Sequence, residues 1–117
     1  MAKALIVARM DAASASSVAD IFARSDSGEL PRMVGVTGRS LFEFHGLYFH
    51  LVESENDIRQ SLAAIRDDRR FAEISQELAS HISPYDPLSW RGPEDAMARR
   101  FYVWHAADQP RPPRPQR

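Results

Sequence analysis

Two strand-like runs joined by a two-residue turn constrain this chain more than any other feature. Val34 to Phe44 and Leu47 to Glu53 flank His45-Gly46, and a connection of that length predicts a β-hairpin whose register is set by the turn. It pairs Phe44 with Leu47, Phe42 with Phe49 and Ser40 with Leu51. Side chains alternate along a strand, so Phe42, Phe44, Leu47, Phe49 and Leu51 share one wholly apolar face. Arg39, Leu41, Glu43, Tyr48, His50 and Val52 share the other. A face mixing apolar with ionisable groups belongs either to a ligand pocket or to a half-exposed sheet.

The remaining elements follow from periodicity and punctuation. Lys3 to Met10 alternates as a strand, with Ala4, Ile6, Ala8 and Met10 on one side and Leu5, Val7 and Arg9 on the other. Asp11 is placed to cap a helix over Ala12 to Ser25, whose apolar stripe is Ala15, Val18, Ile21 and Phe22 and whose end is Ser27-Gly28. Asn56 or Asp57 caps a second helical pattern, Ile58, Leu62 and Ile65, interrupted at Asp67-Asp68. The pattern resumes with Phe71, Ile74, Leu78 and Ile82 and stops at Pro84. Pro84 to Pro93 holds three prolines and reads as a long loop anchored by Tyr85 and Trp90, and Glu94 to Ala98 as a short helical turn. Arg100 to Ala106 reads as a last strand, with Phe101 and Val103 opposite Tyr102 and Trp104.

The order β-α-β-β-α-β, with a broken second helix, predicts an α+β, ferredoxin-like fold: an antiparallel sheet with helices on one face. The other face then needs cover. A second subunit laid face to face supplies it and encloses a cavity between two sheets, so a homodimer forming a dimeric α+β barrel is expected. Its interface is expected over the face of Arg39 and His50, which is too apolar at Leu41, Tyr48 and Val52 to be bare and too polar for a dry core.

Composition narrows the function classes. With 117 residues the chain fits one domain, expected over residues 1–107, with an extended or disordered Pro/Arg-rich tail over 108–117. There are no cysteines, which excludes disulfides, a thiolate nucleophile and Cys-ligated metal. The four histidines are scattered with no close ligand pair, so no metal site is expected. Fifteen basic residues face sixteen acidic ones. Three of the basic residues lie after Gln109, which leaves an acidic body unlike that of a nucleic-acid binder. The longest apolar run, Ala4 to Ala8, is far below the roughly 20 residues of a membrane span. No secretory pattern is visible, and a cytoplasmic location is expected.

Several ordered runs carry a resemblance. They are Ala4-Leu5-Ile6-Val7-Ala8-Arg9-Met10, Ser25-Asp26-Ser27-Gly28-Glu29-Leu30-Pro31, Arg39-Ser40-Leu41-Phe42 and His45-Gly46-Leu47-Tyr48-Phe49-His50-Leu51. Pro84-Tyr85-Asp86-Pro87-Leu88-Ser89-Trp90-Arg91 and Asp95-Ala96-Met97-Ala98-Arg99-Arg100-Phe101-Tyr102 follow. Together they resemble the tetracenomycin-type aromatic polyketide cyclases of bacterial type II polyketide pathways, most closely the spore-pigment branch. The resemblance implies a cofactor-independent homodimer that catalyses regiospecific aldol cyclisation, dehydration and aromatisation of a poly-β-ketone, received free or from an acyl carrier protein. It maps the functional positions onto Asp26, Arg39 and His50. Some members carry a histidine just before the aspartate; Ser25 stands there, so no role carries over.

Chemistry gives these residues roles. His50 is suited to be a base or proton shuttle, Arg39 to hold an enolate or phenolate oxygen, and Asp26 to orient either. Arg9, Leu41, Glu43, Tyr48 and Trp104 are expected to contact substrate. On the residues alone, plainer readings stand beside these. His50 is equally a half-buried strand histidine, Arg39 pairs with Glu43 along its strand, Asp26 is a turn residue, and the aromatic residues are core. Two other functions compete: a cofactor-free quinone-forming monooxygenase on the same dimeric barrel, and a non-catalytic polyketide-binding scaffold.

Overall fold

A computed structural model describes residues 2–91 and 93–106. The hairpin forms as its turn requires. His45 and Gly46 both have positive φ, 51° and 78°, the handedness that matches the twist of two paired strands. Strand β2, Val36–Phe44, meets β3, Leu47–Ser54, in the register read from sequence: Phe44 with Leu47, Phe42 with Phe49, Ser40 with Leu51. A bulge between Val36 and Gly38 shifts that register by one. The shift keeps Val36 on the same side as Arg39, because one inserted residue reverses the alternation.

Strand β1, Ala2–Met10, lies antiparallel to β3 and pairs Ile6 with His50 and Ala8 with Tyr48. After a 3-10 turn over Ala12–Ser14, whose Asp11 side chain accepts from Ala13 N–H, come α1, Ala15–Asp26, and a one-turn helix α2, Leu30–Met33. The helical pattern after the hairpin divides at Asp67-Asp68 into α3, Ile58–Ile65, and α4, Arg69–Leu78. Asp57 and Asp68 each accept from the backbone N–H two residues on, so the break is made by a second N-cap.

Two sequence readings shift here. The helical pattern ends at Leu78, and Ile82 instead opens a two-residue strand β4, Ile82–Ser83, which pairs with Arg9 and Met10. Ile82 still packs on the core formed by Ala8, Met10, Val18, Phe22 and Tyr48. An apolar residue at helical spacing can reach a core from a strand as well. The fourth place in the sheet is therefore filled early, and Arg100 to Ala106 is not a strand. The edge of β1 that it would have used is occupied by β4 and, further along, by Met97, bridged to Ile6, and Ala98, whose N–H donates to Leu5 C=O at 2.7 Å. Phe101, Tyr102 and Trp104 stand 86%, 75% and 59% exposed.

Among the described residues the strands form one antiparallel sheet in the order β2-β3-β1-β4, the ferredoxin-like order expected. None of the helices in those residues is long and apolar enough to cross a membrane. The expected tail, 108–117, and the domain boundary at 107 lie outside the described residues.

The covered face is the larger correction. Alternate residues of β3 are buried, beginning with Tyr48, and they face the helices. Val18, Ile21 and Phe22 of α1 and Ile58 and Ile65 of α3 supply the apolar side of that contact. The cavity on the Arg39–His50 face is thus closed by this chain's own helices, not by a second sheet. The opposite face, with Phe42 and Phe44 half-exposed or more, is the one left open.

Candidate active site

The helices do not fill the space above the sheet. A cavity of about 590 Å³ remains, lined by Ile6, Ala8, Val36, Arg39, Tyr48, His50 and Val52 from the sheet. Phe22 and Ser25 line it from α1, and Ile65, Phe71, Ile74 and Leu78 from α3 and α4. Volume and lining suit a small organic ligand: mostly apolar, with few polar groups. Among the described lining residues Arg39 is the one permanent charge. A second apolar cluster, Leu30, Val34 and Ile65, lines the same cavity.

The polar groups meet by register. Arg39 is paired with Val52, two residues from His50 on β3, and a long side chain spans that diagonal. Arg39 Nη1 donates to His50 Nε2 at 2.8 Å. Its other edge forms a two-pronged pair with Asp26, the last residue of α1: Nη2 to Oδ1 at 2.8 Å and Nε to Oδ2 at 3.0 Å. Tyr48 Oη lies 3.0 Å from His50 Nδ1. Phe22 supports the group from α1, its ring 4.6 Å beneath the guanidinium and 4.9 Å, edge to face, from the imidazole. The chain Asp26–Arg39–His50–Tyr48 is therefore continuous.

Burial dominates the electrostatics. It pushes the His50 pKa down from 6.5 to about 3, with the Arg39 charge acting in the same direction, so the imidazole is neutral at pH 7. Burial also pushes the Tyr48 phenol well above its ordinary value, with the Arg39 charge opposing. Both histidine nitrogens have partners, so a base role for His50 requires Arg39 to move off Nε2 first.

The residues singled out from sequence divide accordingly. Asp26, Arg39, His50 and Tyr48 come together. Leu41 shares their face but packs on the core cluster of Ala8, Met10, Val18, Phe22 and Tyr48 and is not among the residues lining the cavity. Glu43 is exposed at the hairpin end, where its carboxylate accepts from Gly46 N–H, and does not pair with Arg39. Arg9 lies on the opposite face: it is paired with Leu47 and its guanidinium stacks 4.4 Å over Tyr85. Trp104 sits on the exposed segment after Ala98, away from the cavity. The alternation that puts His50 inside puts Arg9 outside, because Ile6 and not an odd-numbered neighbour is opposite His50. By sequence Phe22 is a core residue of the α1 stripe and nothing more. Its signal was the spacing to Asp26, four residues on and on the same side of the helix. Among the described residues no three His, Cys, Asp or Glu side chains gather where they can share a metal ion.

Comparison with known proteins shows the family. Residues 2–105 match the family described as polyketide synthesis cyclase. The chain is 52% identical over 101 residues to an uncharacterised Streptomyces coelicolor protein, covering 86% of this chain and 91% of that one. It is 46% identical over 104 residues to the polyketide synthase CurG of Streptomyces cyaneus, covering 89% and 97%. The solved structure of tetracenomycin F2 cyclase from Streptomyces glaucescens, a type II polyketide cyclase, superposes with a TM-score of 0.84 at 40% identity, covering 91% of this chain and 99% of that one. With a family model matched over residues 2–105 and a solved relative of the same fold, this chain belongs to the polyketide synthesis cyclase family.

Proposed function

We propose that the protein is a cofactor-independent aromatic polyketide cyclase, acting in the cytoplasm on a poly-β-ketone of a type II pathway, with spore-pigment pathways as the expected class. It closes one ring by intramolecular aldol condensation with loss of water. The observation that carries this reading is an apolar cavity with one fixed cation in its wall, Arg39, held by Asp26 and Phe22. A methylene between two carbonyls is acidic, and the charge left on losing its proton spreads to oxygen. A guanidinium already fixed in place stabilises that oxygen without reorganisation. The Asp26 pair holds the Nε–Nη2 edge of Arg39 in place, so the exchange is confined to Nη1: when a substrate oxygen takes its hydrogen bond in place of His50, the Nε2 lone pair becomes free to accept the methylene proton. The apolar walls select one folded conformation of the chain, and orientation is the larger part of the rate.

The test is the product spectrum of a minimal synthase with and without this chain, read by mass and NMR. One ring pattern is expected to dominate when the chain is present; an unchanged mixture would overturn the reading. Oxygen uptake on an anthrone is expected to be nil, and uptake would favour the monooxygenase instead. Arg39→Ala is expected to weaken turnover and binding together, on the order of 10²–10³-fold in turnover. His50→Ala is expected near the low end of the 10²–10⁴-fold range of acid–base groups, with more wrongly closed product.

The homodimer belongs to the same proposal. The bare apolar face with Phe42 and Phe44, and the exposed aromatic stretch Phe101 to Trp104, favour a second copy as their cover. Light scattering should give twice the chain mass at micromolar concentration; a stable monomer would remove this part. Delivery of the substrate by an acyl carrier protein is read by cross-linking to a loaded carrier.

A further inference from the structure

The hydrogen bonds around His50 have a direction. Arginine offers donors only, so the 2.8 Å contact from Arg39 Nη1 meets the lone pair of His50 Nε2. A neutral imidazole then keeps its one hydrogen on Nδ1. That hydrogen donates across 3.0 Å to Tyr48 Oη. Tyr48 is therefore the acceptor in this pair, and its own O–H is not used on the imidazole. Among the described residues Tyr48 Oη has no other hydrogen-bond partner. Tyr48 is 3% exposed and lines the cavity, and a buried hydroxyl hydrogen left without an acceptor is costly.

We infer that Tyr48 turns its phenolic O–H into the cavity and donates a hydrogen bond to a carbonyl or enolate oxygen of the bound substrate, as a second donor beside Arg39. The identity of that substrate rests on the cyclase reading; the direction of the donor rests on Arg39 and His50 alone. The upward shift of the phenol keeps its hydrogen in place through the neutral range, so Tyr48 is a neutral donor and not a base. His50 acquires a second task from this arrangement. Its fixed tautomer occupies the Tyr48 lone pair and leaves the phenol hydrogen only the cavity to face.

Bound 9-fluorenone, a tricyclic aromatic ketone, reads the hydrogen bond without turnover. Its carbonyl stretch in the infrared is expected to fall in the wild-type protein and to return toward its apolar-solvent value in Tyr48→Phe. The same frequency in both proteins overturns the inference. Nitrogen-15 NMR of His50 at pH 7 is expected to show a hydrogen on Nδ1 and none on Nε2; the reverse tautomer also overturns it. On a poly-β-ketone, Tyr48→Phe is expected to lose about 10²-fold in single-turnover rate, as oxyanion donors do. A folded Tyr48→Phe with wild-type rate and product counts against the donor. A wild-type protein that shifts the fluorenone stretch yet does not alter the product spectrum would support the donor and overturn the cyclase reading. Should Tyr48→Phe fail to fold, 3-fluorotyrosine at position 48 keeps the shape and strengthens the donor. A further fall of the stretch is then expected, whereas a merely structural hydroxyl would leave it unmoved.

Discussion

The two faces of the sheet have exposures opposite to their compositions. The outer face carries Leu5, Val7, Phe42, Phe44, Leu47, Phe49 and Leu51, and it is the barer one, with Phe42 and Phe44 53% and 62% exposed. The inner face carries Arg39, Tyr48 and His50, and there Tyr48 and His50 are 3% and 6% exposed. Apolar content shows that a face must be covered; it does not show by what. The helices cover the side that right-handed crossovers allow, and the pleat decides which side chains meet them. Once helices lie there, a mixed face is tolerable where its polar groups meet one another, and the chain Asp26–Arg39–His50–Tyr48 does this for all but the Tyr48 hydroxyl hydrogen. The apolar face, lacking such groups, can be left for another protein surface.

The strongest way to break this comparison is to remove one ring from each side. Phe22→Ala takes away a buried ring and the support under Arg39 and His50, and is expected to cost about 3–5 kcal/mol in urea unfolding. Phe44→Ala, on the outer face, should cost far less in the protomer. Equal losses would mean that the two faces are covered alike.

Acid sharpens the inner face next. Burial and the Arg39 charge hold the His50 pKa at about 3 in the folded state, against the ordinary 6.5, so between those values the unfolded chain binds the extra proton. Stability should therefore fall as pH drops from about 6.5 toward 3, by up to about 1.4 kcal/mol per pH unit from this group. Arg39, Tyr48 and, behind Arg39, Asp26 are the ionisable groups facing it. Thermal melts of His50→Gln across that range should show a shallower slope than wild type, and an unchanged slope would remove His50 as the cause.

The turn holds both faces in place, since a one-residue slip exchanges them. Gly46 has φ 78° with no atom within 4 Å of an added Cβ, so Gly46→Ala should cost about 1–2 kcal/mol through backbone conformation alone. The smallest expected change in protomer stability is that of Phe42→Glu on the outer face, within about 0.5 kcal/mol as for most surface substitutions. Its effect should appear instead as halved mass in light scattering.

The amino-acid order by itself determined whatever a few neighbouring residues decide. His45-Gly46 set the hairpin register, Asp68 made the helix break, and alternation put Arg39, Tyr48 and His50 on one side. These rest on backbone dihedrals, caps and a period of two, all carried within a handful of residues. The rest was decided by pieces far apart in the chain. A period of two separates two faces but does not say which one the helices cover, so the cavity was expected between subunits and lies under α1, α3 and α4. Phe22 and Ile82 had the same apolar signal as any core residue, and only packing made one a platform for Arg39 and the other part of β4. Arg100 to Ala106 has the composition of a strand, yet a strand needs a free edge with unpaired N–H and C=O groups. On β1 that edge was already taken by Ile82–Ser83 and by Met97 and Ala98, a competition between distant segments that no local pattern records.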